Sequence, residues 1–146
     1  MKIEKETKKV FAFALIALLV LVAVIFAEYL MPEFRISKST DKMVAVTARN
    51  AKEGAVLTAG NFTLTQSELL LNASGLDKGT IKMELYELDE ELKVKEDKPT
   101  ITVWFHSGEK RGGESSLRGP AGTYQVKITC TEQATGTVWL KTVPGR

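Results

Sequence analysis

The chain has 146 residues, with 20 Lys and Arg against 18 Asp and Glu, a net charge of +2, one cysteine and one histidine. That length holds one ordinary domain and excludes a multidomain enzyme, and the near-neutral balance leaves no electrostatic footprint for nucleic acid. The lone Cys130 excludes an internal disulfide and a multi-cysteine zinc site, and the lone His106 starves histidine-based metal and catalytic arrangements.

Residues 1–9 are basic, with Lys2, Lys5, Lys8 and Lys9 crowded before the apolar run Val10–Ala27, which holds only Leu, Ile, Val, Phe and Ala. As a helix that run spans about 27 Å, or about 33 Å if continued to Met31, against a hydrocarbon core of about 30 Å. Residues 10–31 are therefore read as a transmembrane signal-anchor helix in contact with membrane lipid, with Tyr29 at the interface and Pro32 as its stop. The alternative is a cleaved signal peptide, since Ile25-Phe26-Ala27 loosely resembles a cleavage site. The run exceeds the usual h-region of about 7 to 15 residues, and Ile25 spoils the small-residue pattern, so retention is preferred. Arg35, Lys38 and Lys42 are sparser than the lysines of residues 1–9, so the positive-inside rule places the N-terminus in the cytoplasm and the remainder outside the cell membrane.

Residues 32–42 are polar and unpatterned and read as a stalk. From Met43 the hydrophobic period becomes two, and strands are expected near residues 43–49, 55–58, 62–65, 68–74, 80–87, 92–95, 100–106, 122–131 and 137–143. Ile81, Met83 and Leu85 alternate with Lys82, Glu84 and Tyr86, and Ile101, Val103 and Phe105 with Thr102, Trp104 and His106. Tyr124, Val126, Ile128 and Cys130 do the same with Thr123, Gln125, Lys127 and Thr129. Strands with one wet face, broken at Gly75, Asp97-Lys98-Pro99, Gly119-Pro120 and Gly136, predict an all-β, antiparallel β-sandwich of seven to nine strands over residues 43–146, immunoglobulin-like or jelly-roll-like. Asn61-Phe62-Thr63 and Asn72-Ala73-Ser74 match the N-glycosylation triplet, which makes Asn61 and Asn72 candidate modification sites on an external domain; ordinary turn and strand residues match it equally.

The segment from Leu117 to Ile128, with Gly119-Pro120 ahead of Tyr124, resembles the turn and penultimate strand of immunoglobulin-like and fibronectin-type extracellular modules. That resemblance implies a tyrosine that closes a corner by bonding back to the backbone near the turn. It departs from the antibody pattern at Cys130, six positions after Tyr124 and without a partner. A basic N-terminus, one span and a small β-domain are also similar in layout to archaeal single-span envelope proteins such as filament subunits and archaellum stator proteins. A prepilin would need a small-residue processing site before the run and commonly a Glu five residues into it, and neither is present.

Two local charge patterns and two tryptophans are the remaining signals. Glu84, Glu87, Asp89, Glu90, Glu91, Glu96 and Asp97 form an acidic run that lacks the Asp-x-Asp-x-Asp-Gly spacing of a calcium loop, so a solvated hairpin tip at residues 88–92 is expected and no metal. Ser107–Gly119 reads as a long loop whose Lys110, Arg111 and Arg118 are candidate contacts for an acidic protein partner; the plainer reading is a loose connector. Alternation sets Trp104 and Trp139 opposite their apolar neighbours, on an outer face where they would mark a protein interface or a carbohydrate platform, unless both faces are covered or a bulge shifts the register. His106 has no paired acid and nucleophile, and Cys130 lies on the apolar side of its strand as a small buried group. Ser115 and Ser116 have no nucleophile elbow, and phosphate loops and dinucleotide fingerprints are absent, so no catalytic residue and no cofactor are expected. These readings point to a membrane-anchored extracytoplasmic protein acting by contact with a protein or cell-envelope partner. A membrane-held carbohydrate-binding module is the second reading, and a metal-dependent hydrolase the third.

Overall fold

The computed structural model describes residues 2–108 and 114–145. It divides into two compact units, residues 1–31 and 32–146. The first is one helix, α1 (Lys2–Leu30), in which Glu6–Phe26 is long and apolar enough to cross a membrane. Its large apolar side chains, Val10, Phe11 and Phe13 through to Phe26, are exposed.

Among the described residues the second unit has seven strands, all paired antiparallel: β1 (Glu33–Ser39), β2 (Met43–Ala51), β3 (Val56–Leu64), β4 (Glu68–Glu87), β5 (Ile101–His106), β6 (Glu114–Leu117) and β7 (Gly122–Pro144). Two of these are very long, and they explain the architecture. The first half of β4 and the second half of β7 pair with each other and lie between β6 and β2–β1, making a first layer ordered β1-β2-β7-β4-β6. The second half of β4 and the first half of β7 also pair, between β5 and β3, making a second layer ordered β3-β7-β4-β5. One continuous hydrogen-bonded sheet thus folds over on itself into a sandwich.

The fold-over sits where the β4–β7 register slips, between Leu76 and Ile81. Gly79 has φ +89°, and a Cβ there would lie 2.2 Å from the Gln133 carbonyl oxygen. Gly136 has φ +136°, and its Cβ would lie 2.4 Å from the Gly75 carbonyl oxygen. Only glycine lets two bending strands approach this closely. Gly75 and Gly136, expected as breaks between separate strands, lie within β4 and β7 beside the bend, where the two strands approach closely. The pairs expected at 68–74 and 80–87, and at 122–131 and 137–143, are accordingly single strands, as is 55–65 apart from a register shift between Ala59 and Phe62.

Between the layers lies one core. Val44, Val46, Leu70, Val138 and Leu140 come from the first, and Ile81, Met83, Leu85, Phe105, Tyr124, Val126, Ile128 and Cys130 from the second. The three alternations read from sequence are those of the core: β5 is buried at Ile101, Val103 and Phe105 and exposed between them. The Tyr124 hydroxyl donates to the Pro120 carbonyl, the corner bond that the resemblance implied.

Three segments differ from expectation. The supposed stalk contains β1, paired with β2 from Glu33↔Arg49 to Ser39↔Val44, because Phe34 and Ile36 pack against the core while Arg35 and Ser37 face water. The supposed loop 107–119 contains β6, paired with β4 from Ala73↔Glu114 to Leu70↔Leu117. Conversely, 92–95 is reduced to one bridge, Leu88↔Val94, around a turn closed by Asp89, whose carboxylate accepts from the Glu91 and Lys93 N–H groups at 2.8 and 3.0 Å. That turn is the expected solvated hairpin tip.

Candidate functional site

The most chemically varied surface is the outer face of the second layer, which no element of the second unit covers among the described residues. Three rows of side chains cross it, set by the register. Trp104, Lys82, Thr129 and Val56 make the first, Thr102, Glu84, Lys127 and Thr58 the second, and Tyr86 with Gln125 the third. Four strands about 4.8 Å apart give a face about 14 Å wide.

Trp104 is 48% exposed, far above what a large apolar side chain on a covered face would show. Its position explains this, since β5 is an edge strand and Trp104 has a cross-strand neighbour on one side only, Lys82. The Lys82 ammonium lies 5.4 Å from the centre of the indole and 3.4 Å from a Glu84 carboxylate oxygen. His106 stacks beside the indole, 6.2 Å between centres and 9° from parallel. Trp104 is thus held by a cation on one flank and an aromatic ring on another, with part of its surface open to solvent.

Farther along, a groove of about 230 Å³ is lined by Thr58, Tyr86, Val94, Glu96, Asp97, Gln125 and Lys127. Burial, then the adjacent Glu84 carboxylate, push the Tyr86 phenol above its ordinary range, so it stays protonated and donates to Glu84 at 3.4 Å. The groove therefore presents a neutral phenol, an amide, two carboxylates and an ammonium around one apolar side chain, Val94. Such a surface offers hydrogen-bonding groups and an aromatic ring to solvent. Among the described residues, no nucleophile is brought together with a base on this face.

The other expected sites fall elsewhere. Trp139 is half-buried on the outer face of the first layer, with the Lys141 ammonium 4.8 Å from its ring centre. The two tryptophans thus belong to different layers and form no common platform. Arg118 is exposed just beyond β6, whereas Lys110 and Arg111 lie outside the described residues. Asn61 is exposed in the β3 bulge at φ +60°, while Asn72 is buried and accepts a hydrogen bond from Ser115 at 3.1 Å. Cys130 is fully buried; burial pushes its thiol up, and its Sγ donates to the Glu132 carbonyl at 2.9 Å, which suits an inert core group. Among the described residues no three His, Cys, Asp or Glu side chains converge to hold a metal ion.

Sequence reasoning placed Trp104 but missed Tyr86, Gln125 and Lys127 as its companions. Their alternation with core residues was visible, yet adjacency across β3, β7, β4 and β5 needs strand order, which no local pattern carries.

No family model matches the chain, and no curated protein matches it. Among solved structures it is similar to CsCBM6-3 from Clostridium stercorarium in complex with cellobiose, at 12% identity and a TM-score of 0.37 over 80% of this chain and 84% of that one. It is also similar to a CBM4 structure, at 11% identity and a TM-score of 0.35 over 81% and 82%. Both are carbohydrate-binding modules rather than immunoglobulin-like ones. Overlaps this loose assign neither a family nor a ligand, so function must be argued from the residues.

Proposed function

We propose that this chain is a single-span, extracytoplasmic binding protein without catalytic activity, which uses the outer face of its second layer to hold a protein of the cell envelope. The observation that carries this reading is Trp104: a large aromatic, half exposed, braced by Lys82 and His106 on a sheet face left uncovered. Interfaces draw much of their energy from aromatic anchors surrounded by polar groups, and the rows around Trp104 supply both signs of charge and neutral donors. The apolar helix and the excess of lysines before it support an anchor with the β-domain outside.

A second reading is carbohydrate binding. The flat open indole, with Tyr86, Glu84 and Gln125 in neighbouring rows, favours it, because a sugar ring stacks on an indole while its hydroxyls take planar polar partners. The separation of Trp139 from this face limits that reading to one tryptophan.

Photo-crosslinkers placed at Trp104 and at Trp139 in the full chain, within native membranes, separate the readings. Protein adducts at position 104 and none at 139 are expected. Equal labelling at both positions, or none at 104, removes the face as the contact, and retention of a polysaccharide column lost in Trp104→Ala turns the reading to carbohydrate. Intact mass after alkaline washing of the membranes tests the anchor: a species cut near Ala27 and released into the wash overturns it.

A further inference from the structure

Each layer ends in two edge strands, β1 and β6 in the first, β3 and β5 in the second. An open edge is a row of unpaired backbone donors and acceptors, which folded proteins blunt with charge, bulges or short length. β1 carries Glu33, Arg35 and Lys38 and shifts register after Ile36; β3 shifts register after Ala59; β6 is four residues long. β5, from Ile101 to His106, has none of these protections. It pairs with β4 in unbroken register and contains no charged residue and no proline.

Which backbone groups it leaves open follows from the ladder. The Ser107 N–H donates to the Gly79 carbonyl at 3.1 Å, so the odd-numbered residues of β5 share hydrogen bonds with β4, and Thr102, Trp104 and His106 turn theirs outward. The His106 carbonyl is taken by the Ser74 hydroxyl at 2.9 Å, and the Thr100 N–H by the Leu85 carbonyl at 2.8 Å. Among the described residues, Thr102 and Trp104 are left with both the N–H and the C=O open.

We propose that β5 pairs antiparallel with β5 of a second copy of this chain, about a twofold axis at Val103. In that register Thr102 of each copy faces Trp104 of the other, and four hydrogen bonds consume the fully open groups of both strands. A register centred on Trp104 sets Thr102 opposite His106, whose carbonyl Ser74 already holds. The occupant is a second copy because it supplies an uncharged strand with the same two open residues at the complementary positions. The pairing also packs a β-branched side chain beside each indole and joins two outer faces into one continuous sheet. It is independent of what that face binds.

The test uses the full chain in membranes with Cys130→Ala as background. Thr102→Cys and Trp104→Cys chains, produced together, are expected to give a disulfide-linked dimer on mild oxidation at a yield well above that of either alone, because opposed side chains lie about 5 Å apart and diagonal ones about 7–8 Å. Self-linking of Trp104→Cys that equals linkage in the mixture places the axis elsewhere and overturns the proposal, as does absence of linkage in the mixture. Thr102→Pro removes an outward N–H that β4 does not use, so it should retain the wild-type melting transition while the dimer fraction by native mass spectrometry falls at least about tenfold. Should that variant fail to fold, Thr102→Lys, at an exposed position, gives the same readout. A dimer that persists in the folded variant, or a purely monomeric wild type, overturns the pairing.

Discussion

Trp104 and Trp139 obey the same rule of sequence and meet different fates. Each alternates with two fully or nearly buried neighbours, Val103 and Phe105 for one, Val138 and Leu140 for the other, and each faces out of its layer. Trp139 stands on β7 with β2 and β4 on either side, and its cross-strand partners are Ala45 and Ala73. Both alanines are buried although they face outward, and each stands directly across from the half-buried Trp139. Trp104 has a single lysine neighbour and open space beyond it. The first layer thus spends its tryptophan on its own stability, and the second keeps one exposed. Strand order, with the size of the cross-strand residue, decides between the two uses.

The sharpest way to break the comparison is to remove the fold-over that lets the layers differ. Gly79→Ala forces a side chain into the left-handed region and onto the Gln133 carbonyl. A loss of about 3 kcal/mol is expected from backbone strain and overlap together, lowering the melting midpoint by about 10 °C or more. A midpoint unchanged in calorimetry would mean that the strands do not need this close approach.

Next in size is Trp139→Ala. Removing a half-buried indole and uncovering Ala45 and Ala73 is expected to cost about 2 kcal/mol. Urea unfolding of the variant measures it. A cost near zero would mean that Trp139 is no more committed to the fold than Trp104.

The end of the sandwich where the layers meet again is held by Lys42, whose ammonium donates to the Thr63 carbonyl at 3.2 Å and to Glu68 at 2.8 Å. The Lys42 bond, with those from Thr65 and Thr142, lowers the Glu68 carboxyl from 4.5 to about 2. A folded pKa below the unfolded one stabilises at neutral pH, and that contribution is lost as pH falls from about 4.5 towards 2. Melting curves of wild type and Glu68→Gln should therefore separate at pH 7 and converge near pH 2. Parallel curves across that range would remove the carboxylate as the cause.

How much of this could be read from the residues divides along the same line as the tryptophans. The sandwich class, the core positions of β4, β5 and β7 and the Tyr124 corner were legible because each depends on a local period or a short turn. β1 and β6 were not: with Phe34 and Ile36, and with Leu117 alone, they show too few apolar positions to announce a strand, and only a neighbouring edge gives them one. Gly75 and Gly136 were seen but misread, because a glycine that ends a strand and one that bends it look alike until the opposite strand is known. The outer face of the second layer suffers most, since its rows run across four strands, most of them distant in sequence.

The smallest expected effect on stability bears most directly on function. Trp104→Ala gives up a 5.4 Å contact with Lys82 and the stacking of His106, both at the surface. The expected loss is below about 1 kcal/mol. If the two layers have divided their roles, this variant melts close to wild type yet loses its photo-crosslinks or column retention, while Trp139→Ala melts early and, below its midpoint, still binds. The pair therefore forms a crossed test in which each variant controls for the other. Binding that falls in step with stability in both would mean that the open indole is a structural residue after all, and that contact is made elsewhere on the domain.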